Sequence, residues 1–103
     1  MFKLMILLTK KPTMSDDEFS QYFLGNHAPI AKKIPDLRKY VVNVVQRPPN
    51  KEPDYHGVAE LWFDNREKMK RAFASPEGKL TQKDTENFAV RTMTLFIHEH
   101  TIT

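Results

Sequence analysis

The spacing of apolar residues along this chain changes several times, and each change marks an element. Phe2-Lys-Leu-Met-Ile-Leu-Leu-Thr9 is apolar in both parities, with Phe2, Leu4, Ile6 and Leu8 on one side and Met5 and Leu7 on the other. A strand of that kind is covered on both faces. Ser15-Asp-Asp-Glu18 then forms a capping box, after which Phe19, Tyr22, Phe23, His27, Ile30 and Ile34 recur at intervals of three and four as one helical stripe. Gly25, Asn26 and Pro29 interrupt that stripe. Proline lacks a donor and its ring clashes with the carbonyl one turn back, at a cost of about 3 kcal/mol inside a helix. The pattern therefore predicts a kink or restart, with Pro29 in the first turn of the second piece and Pro35-Asp36 as the end.

Leu37 to Gln46 is dense in β-branched residues and predicts a second strand. Arg47 to Asp54 holds three prolines and reads as a loop. Tyr55 to Phe63 predicts a third strand, with Tyr55, Gly57, Ala59, Leu61 and Phe63 on one side and His56, Val58, Glu60 and Trp62 on the other. Asp64-Asn-Arg-Glu67 opens a second helix in capping-box manner, with Met69, Ala72 and Phe73 buried. Ser75-Pro-Glu-Gly78 stops it and starts a third, on which Leu80, Asp84 and Phe88 share a side. From Val90 to Ile102 a fourth strand sets Met93, Leu95 and Ile97 against Thr92, Thr94, Phe96, His98 and His100.

The order is β-α-β-β-α-β with one extra helical piece. It predicts an α+β, ferredoxin-like domain over residues 1–103, a four-stranded antiparallel sheet with helices on one face. Helices on one face cannot cover strands that are apolar on both. The bare face would exceed the apolar patch that monomers usually tolerate, so the chain is expected to pair sheet to sheet as a homodimer.

Composition narrows the chemistry. Three glycines and no phosphate-cradling loop argue against nucleotide cofactors, and the absence of cysteine excludes disulfides, thiolate metal sites and a cysteine nucleophile. The net charge of +3 is dispersed, and the basic residues from Lys68 to Arg71 are interleaved with acids, so a solvated helix face is expected and nucleic acid is not. The apolar start is too short to span a membrane and lacks a signal-peptide cleavage pattern, which makes a cytoplasmic location the expectation. His98-Glu-His100 has the spacing of a metal pair on a strand, yet no third ligand is evident, and neither a metal nor a cofactor is expected.

His27 is the foremost candidate for chemistry, because it sits at the predicted break and its charge changes near neutral pH. A packed histidine bonded to a carbonyl is the plainer reading of the same position. Asp84 and Glu60 are candidate orienting carboxylates and Tyr40 a candidate hydrogen-bond donor. Phe19, Phe23, Trp62, Phe88 and His56 are candidate pocket residues.

Asn26-His-Ala-Pro-Ile-Ala31, followed by Ile34-Pro-Asp-Leu-Arg-Lys-Tyr40, resembles the hallmark of the EthD family of small dimeric α/β-barrel proteins. Met14-Ser-Asp-Asp-Glu-Phe19, Glu60-Leu-Trp-Phe63 and Ala74-Ser-Pro-Glu-Gly78 agree in order. The family takes its name from a gene cluster that degrades ethyl tert-butyl ether. The resemblance implies a ferredoxin-like fold, a homodimer whose sheets form a barrel, and a hydrophobic pocket between sheet and helices. Members and neighbours include accessory proteins of ether degradation, lactone isomerases, cofactor-free oxygenases, and decarboxylases or dehydratases of aromatic polyketides. His27 matches the motif histidine and Tyr40 the closing tyrosine. The cysteine that isomerase-type relatives carry near the Trp-Phe pair is absent here.

Two functions fit. One is a cofactor-independent enzyme that moves a proton on a small hydrophobic carbonyl or aromatic compound, with His27 as base or acid. The other is a non-catalytic protein that binds a hydrophobic small molecule or assists a degradation enzyme.

Overall fold

The computed structural model describes residues 1–103. The elements are β1 (Phe2–Lys10), α1 (Asp16–Tyr22), a π-helical turn (Phe23–His27), α2 (Ala28–Ala31), β2 (Lys39–Val44), β3 (Gly57–Phe63), α3 (Arg66–Ala74), α4 (Pro76–Thr85) and β4 (Ala89–His98). The strands form one sheet in the order β2-β3-β1-β4, every neighbouring pair antiparallel, which is the ferredoxin-like α+β arrangement expected from the sequence. No helix is long and apolar enough to cross a membrane.

Register assigns the two faces. Leu4 lies opposite Leu61 and Phe96, and Ile6 opposite Ala59 and Thr94, so this parity of β1, β3 and β4 faces the helices. Tyr40 and Val42 join it from β2. The core sits there, with Phe19, Phe23, Phe63 and Phe88 fully buried. Gly57 is required at this layer, because a Cβ would lie 2.7 Å from the Phe23 ring and 3.0 Å from that of Phe19. The opposite parity, including Met5, Leu7, Val58, Met93 and Leu95, carries no helix. Met93 and Leu95 are 48% and 40% exposed.

The capping box at Ser15 forms with both of its hydrogen bonds, from the Glu18 N–H to Ser15 Oγ and from the Ser15 N–H to Glu18. At the predicted break the helix widens instead of ending: the Ala28 N–H donates to the carbonyl of Phe23, five residues back. A wider turn relieves the crowding that Pro29 would impose on the preceding carbonyls, and α2 resumes with Pro29 in its first turn.

Several boundaries and contacts differ from the sequence expectation. The second strand is shorter, Lys39–Val44, and the third begins at Gly57, leaving His56 just outside it. The second strand's neighbour Arg38 draws Asp64 away from capping, through hydrogen bonds of 3.0 Å, and Asn65 caps α3 instead. Leu80 is 57% exposed. The inward side of α4 is Gly78, Thr81 and Asp84, because Gly78 lies against the α3 backbone, where a Cβ would meet the Ala72 carbonyl at 2.3 Å. The fourth strand stops at His98, and no group of three His, Asp or Glu side chains converges to hold a metal ion.

Candidate functional site

The wide turn aims His27 at α4. Its Nδ1 lies 2.8 Å from Asp84 Oδ2, in a contact with both side chains buried. Two further donors hold the other carboxylate oxygen: Tyr22 Oη at 2.7 Å and Asn87 Nδ2 at 3.0 Å. Burial pushes the Asp84 carboxyl up, but these hydrogen bonds outweigh it and hold the group below the usual carboxylate range. Asp84 is therefore ionised at neutral pH. Burial pushes His27 below its ordinary value, against the opposing pull of Asp84, so the ring is neutral there. A neutral ring facing a carboxylate carries its proton on Nδ1, which leaves the lone pair on Nε2. No protein group hydrogen-bonds to Nε2.

His27 and Tyr40 line one small cavity of about 40 Å³, closed by Ile6, Leu8, Ala59 and Leu61 from the sheet and Thr81 from α4. The Tyr40 hydroxyl is buried without a hydrogen-bond partner. Burial pushes its phenol up to about 12, so it stays protonated and able to donate. The site thus holds a carboxylate, an oriented imidazole and a free phenol in an apolar setting.

Of the residues singled out in the sequence, His27, Tyr40 and Asp84 are brought together. Phe19, Phe23 and Phe88 form the wall behind them; the Phe88 ring is 4.8 Å from the imidazole, but none of the three lines the cavity. Glu60 and Trp62 lie on the opposite face of the sheet and reach neither His27 nor the cavity. Glu60 pairs there with Lys3 at 2.6 Å and accepts from Asn43 at 2.8 Å, while the Trp62 indole N–H donates to Glu99 at 2.9 Å. His56 is buried beside Phe19 at the sheet end. Its Nδ1 accepts from the Lys10 N–H at 3.1 Å and its Nε2–H donates to Glu52 at 2.8 Å, a joint that ties the proline-rich loop to β1.

Tyr22 and Asn87 are the residues of this candidate site that the sequence reading does not single out. Tyr22 belongs to the helical stripe, and its hydroxyl role depends on a partner 62 residues away. Asn87 is three residues after Asp84, a spacing at which a side-chain amide can turn back onto a carboxylate; that is the signal available for it.

Comparison with known proteins gives a consistent picture. The model of the EthD domain matches residues 11–92. A crystal structure of an EthD family protein from Bacillus halodurans is 29% identical with a TM-score of 0.83, over 97% of this chain and 99% of that one. A dimeric protein of unknown function with a ferredoxin-like fold from Bacteroides fragilis is 16% identical, with a TM-score of 0.73 over 95% of each chain. The cofactor-independent oxygenase SnoaB from Streptomyces nogalater is 15% identical, with a TM-score of 0.61 over 98% of this chain and 92% of that one. At those identities the last two share the fold.

Proposed function

The chain belongs to the EthD family, and on that premise we propose that it is a cofactor-independent enzyme, working as a homodimer, that moves a proton on a small hydrophobic carbonyl or aromatic compound. The observation that carries this reading is the buried Asp84–His27 pair, with His27 lining one cavity together with Tyr40, whose hydroxyl has no partner. Nε2 of His27 takes a proton from a carbon next to a carbonyl, or from a phenolic oxygen. The electron pair left behind moves onto the substrate oxygen, where Tyr40 donates a hydrogen bond to it. Asp84 stabilises the imidazolium that results, and return of the proton to a different atom completes the cycle with no net change in charge. A neighbour of the same fold is a cofactor-independent oxygenase, which accords with chemistry of this type. The homodimer reading rests on the uncovered apolar sheet face and on the dimeric neighbour.

One observation favours a second reading. A cavity of about 40 Å³ holds roughly one water, and His27 is only 5% exposed. On that reading the Asp84–His27 pair is a structural joint, and the protein binds a hydrophobic molecule or assists a degradation pathway, of which ether breakdown is one setting. His27→Asn separates the two. Loss of turnover with the fold intact supports the enzyme, and unchanged turnover of every confirmed substrate removes it. Lost stability with ligand affinity retained marks the joint.

A further inference from the structure

Beside the His27 cavity lies a larger cleft of about 340 Å³, a size typical of small-molecule sites. It opens between α3 and α4 on one side and β1 and β4 on the other. The cleft and the small cavity share Ile6, Phe73, Gln82 and Thr85 in their walls, so the two adjoin. Its lining is mixed: Leu4, Ile6, Met69, Phe73 and Phe96 are apolar, and Gln82, Thr85, Thr92 and Thr94 are polar and uncharged. Thr92 and Thr94 lie opposite Leu8 and Ile6 in the register, which puts both on the helix side of the sheet and about 7 Å apart along the strand. Gln82 faces them from α4.

The cleft is open to solvent, with Gln82, Thr92, Thr94 and Phe96 exposed, and its polar groups have hydrogen-bonding capacity that water fills and a ligand would take over. Thr85 donates its hydroxyl proton to the Thr81 carbonyl at 3.1 Å, so its oxygen can only accept. Thr92, Thr94 and Gln82 are committed to no partner within the chain. None of the residues lining the cleft is charged, so nothing there offsets the loss of water around an ionic ligand. An uncharged molecule with a polar edge would satisfy the threonines and the amide while burying its body on Phe73 and Phe96.

We propose that this cleft binds the body of the substrate, and that Thr92, Thr94 and Gln82 select an uncharged, mostly apolar molecule with hydroxyl or carbonyl groups along one edge. Its reacting end enters the small cavity between His27 and Tyr40. The inference rests on the catalytic reading only for which end enters.

The test compares two probes, naphthalene and 2-naphthol, by titration calorimetry on the full chain. The wild type should prefer 2-naphthol by about three- to tenfold, the worth of one hydrogen bond. In the Thr92→Val/Thr94→Val double variant, which keeps the volume and branching of both side chains, that preference should fall to near parity with naphthalene affinity retained. Gln82→Met should reduce it in part, and the methyl resonances of Thr92 and Thr94 should shift with 2-naphthol in the wild type. The proposal is overturned if neither probe binds, if the preference survives both valines, or if the valines weaken both probes equally. No turnover enters this readout. A valine-sensitive preference together with turnover indifferent to His27 upholds the cleft and removes the catalytic reading; a valine-insensitive preference overturns the cleft whatever His27 does.

Discussion

Replacing a tyrosine by phenylalanine removes one hydroxyl and little else, and this site contains two tyrosines at which the effect should differ in sign. The Tyr40 hydroxyl is buried without a partner. An unsatisfied buried polar group costs about 1–3 kcal/mol, of which a single water in the adjoining cavity would recover a part. Tyr40→Phe should therefore leave the protein between equally stable and about 2 kcal/mol more stable. The Tyr22 hydroxyl instead donates to ionised Asp84 at 2.7 Å, and hydrogen bonds to charged groups are worth about 1.5–3 kcal/mol. Tyr22→Phe should lose roughly that amount. Urea denaturation at pH 7 reads both, as midpoints at unchanged slope; in a domain of this size 1 kcal/mol corresponds to about 4–8 °C in Tm. If Tyr40→Phe costs 1 kcal/mol or more, its hydroxyl has a structural partner and the argument for a free donor fails. A neutral Tyr22→Phe would equally remove the account of how Asp84 is held. Where a substrate is in hand, Tyr40→Phe should lower kcat by on the order of 10²–10³ without loss of stability.

Asp84→Asn removes the one group that raises the basicity of His27, so its titration followed by NMR should move still further below the ordinary histidine value; an upward shift would contradict the assignment. Because His27 is depressed in the folded chain, only the unfolded chain takes up its proton between the ordinary value of about 6.5 and the folded one. The stability this residue confers is full above pH 6.5 and is lost as pH falls toward the folded value. The stability gap between wild type and His27→Asn should accordingly narrow on acidification, and a gap constant with pH would refute the burial argument. Gly78→Ala would press a methyl group to 2.3 Å from the Ala72 carbonyl; a loss of at least about 1–3 kcal/mol is expected in a thermal melt. Sedimentation at micromolar concentration should give twice 12.1 kDa, and a monomer would leave the uncovered sheet face without its proposed cover.

What could be read from the sequence was what local physics decides. The capping box at Ser15 and the irregularity ahead of Pro29 depend on residues within one or two turns; the first forms as expected, and the second takes the form of a widened turn with Pro29 in the first turn of α2. The faces of β1, β3 and β4 follow from strict alternation. That same alternation separates Trp62 and Glu60 from Leu61, and so from the His27 side, although the sequence reading placed Trp62 among pocket residues and offered Glu60 to His27. The pairing of His27 with Asp84 spans 57 residues and leaves no local trace; it emerges only once α4 is docked. Leu80 misleads for a related reason. Its spacing from Asp84 suits a buried stripe, but the helix is turned by the close contact that Gly78 permits, and contacts between helices outweigh hydrophobicity along one of them. The phenylalanines are legible as apolar and not as wall or lining, because that depends on which ring fills which gap.

The wide turn at Phe23–His27 has a consequence for how such a site can be gained or lost. It places one extra residue in a helix whose neighbours otherwise follow at about 100° per residue. Deleting a single residue between Leu24 and Asn26 would return the segment to ordinary α-helical bonding, with Ala28 bonded to the same Phe23 carbonyl and the residues after it facing as they do now. The imidazole, which lies inside the turn, would shift relative to Asp84 and Tyr40 while both flanking helices stay packed. Descendants of this chain could therefore disturb the constellation by a change in length rather than in residue identity. A comparison of related sequences should look for the histidine by counting from the capping serine, where a one-residue gap says more than a substitution.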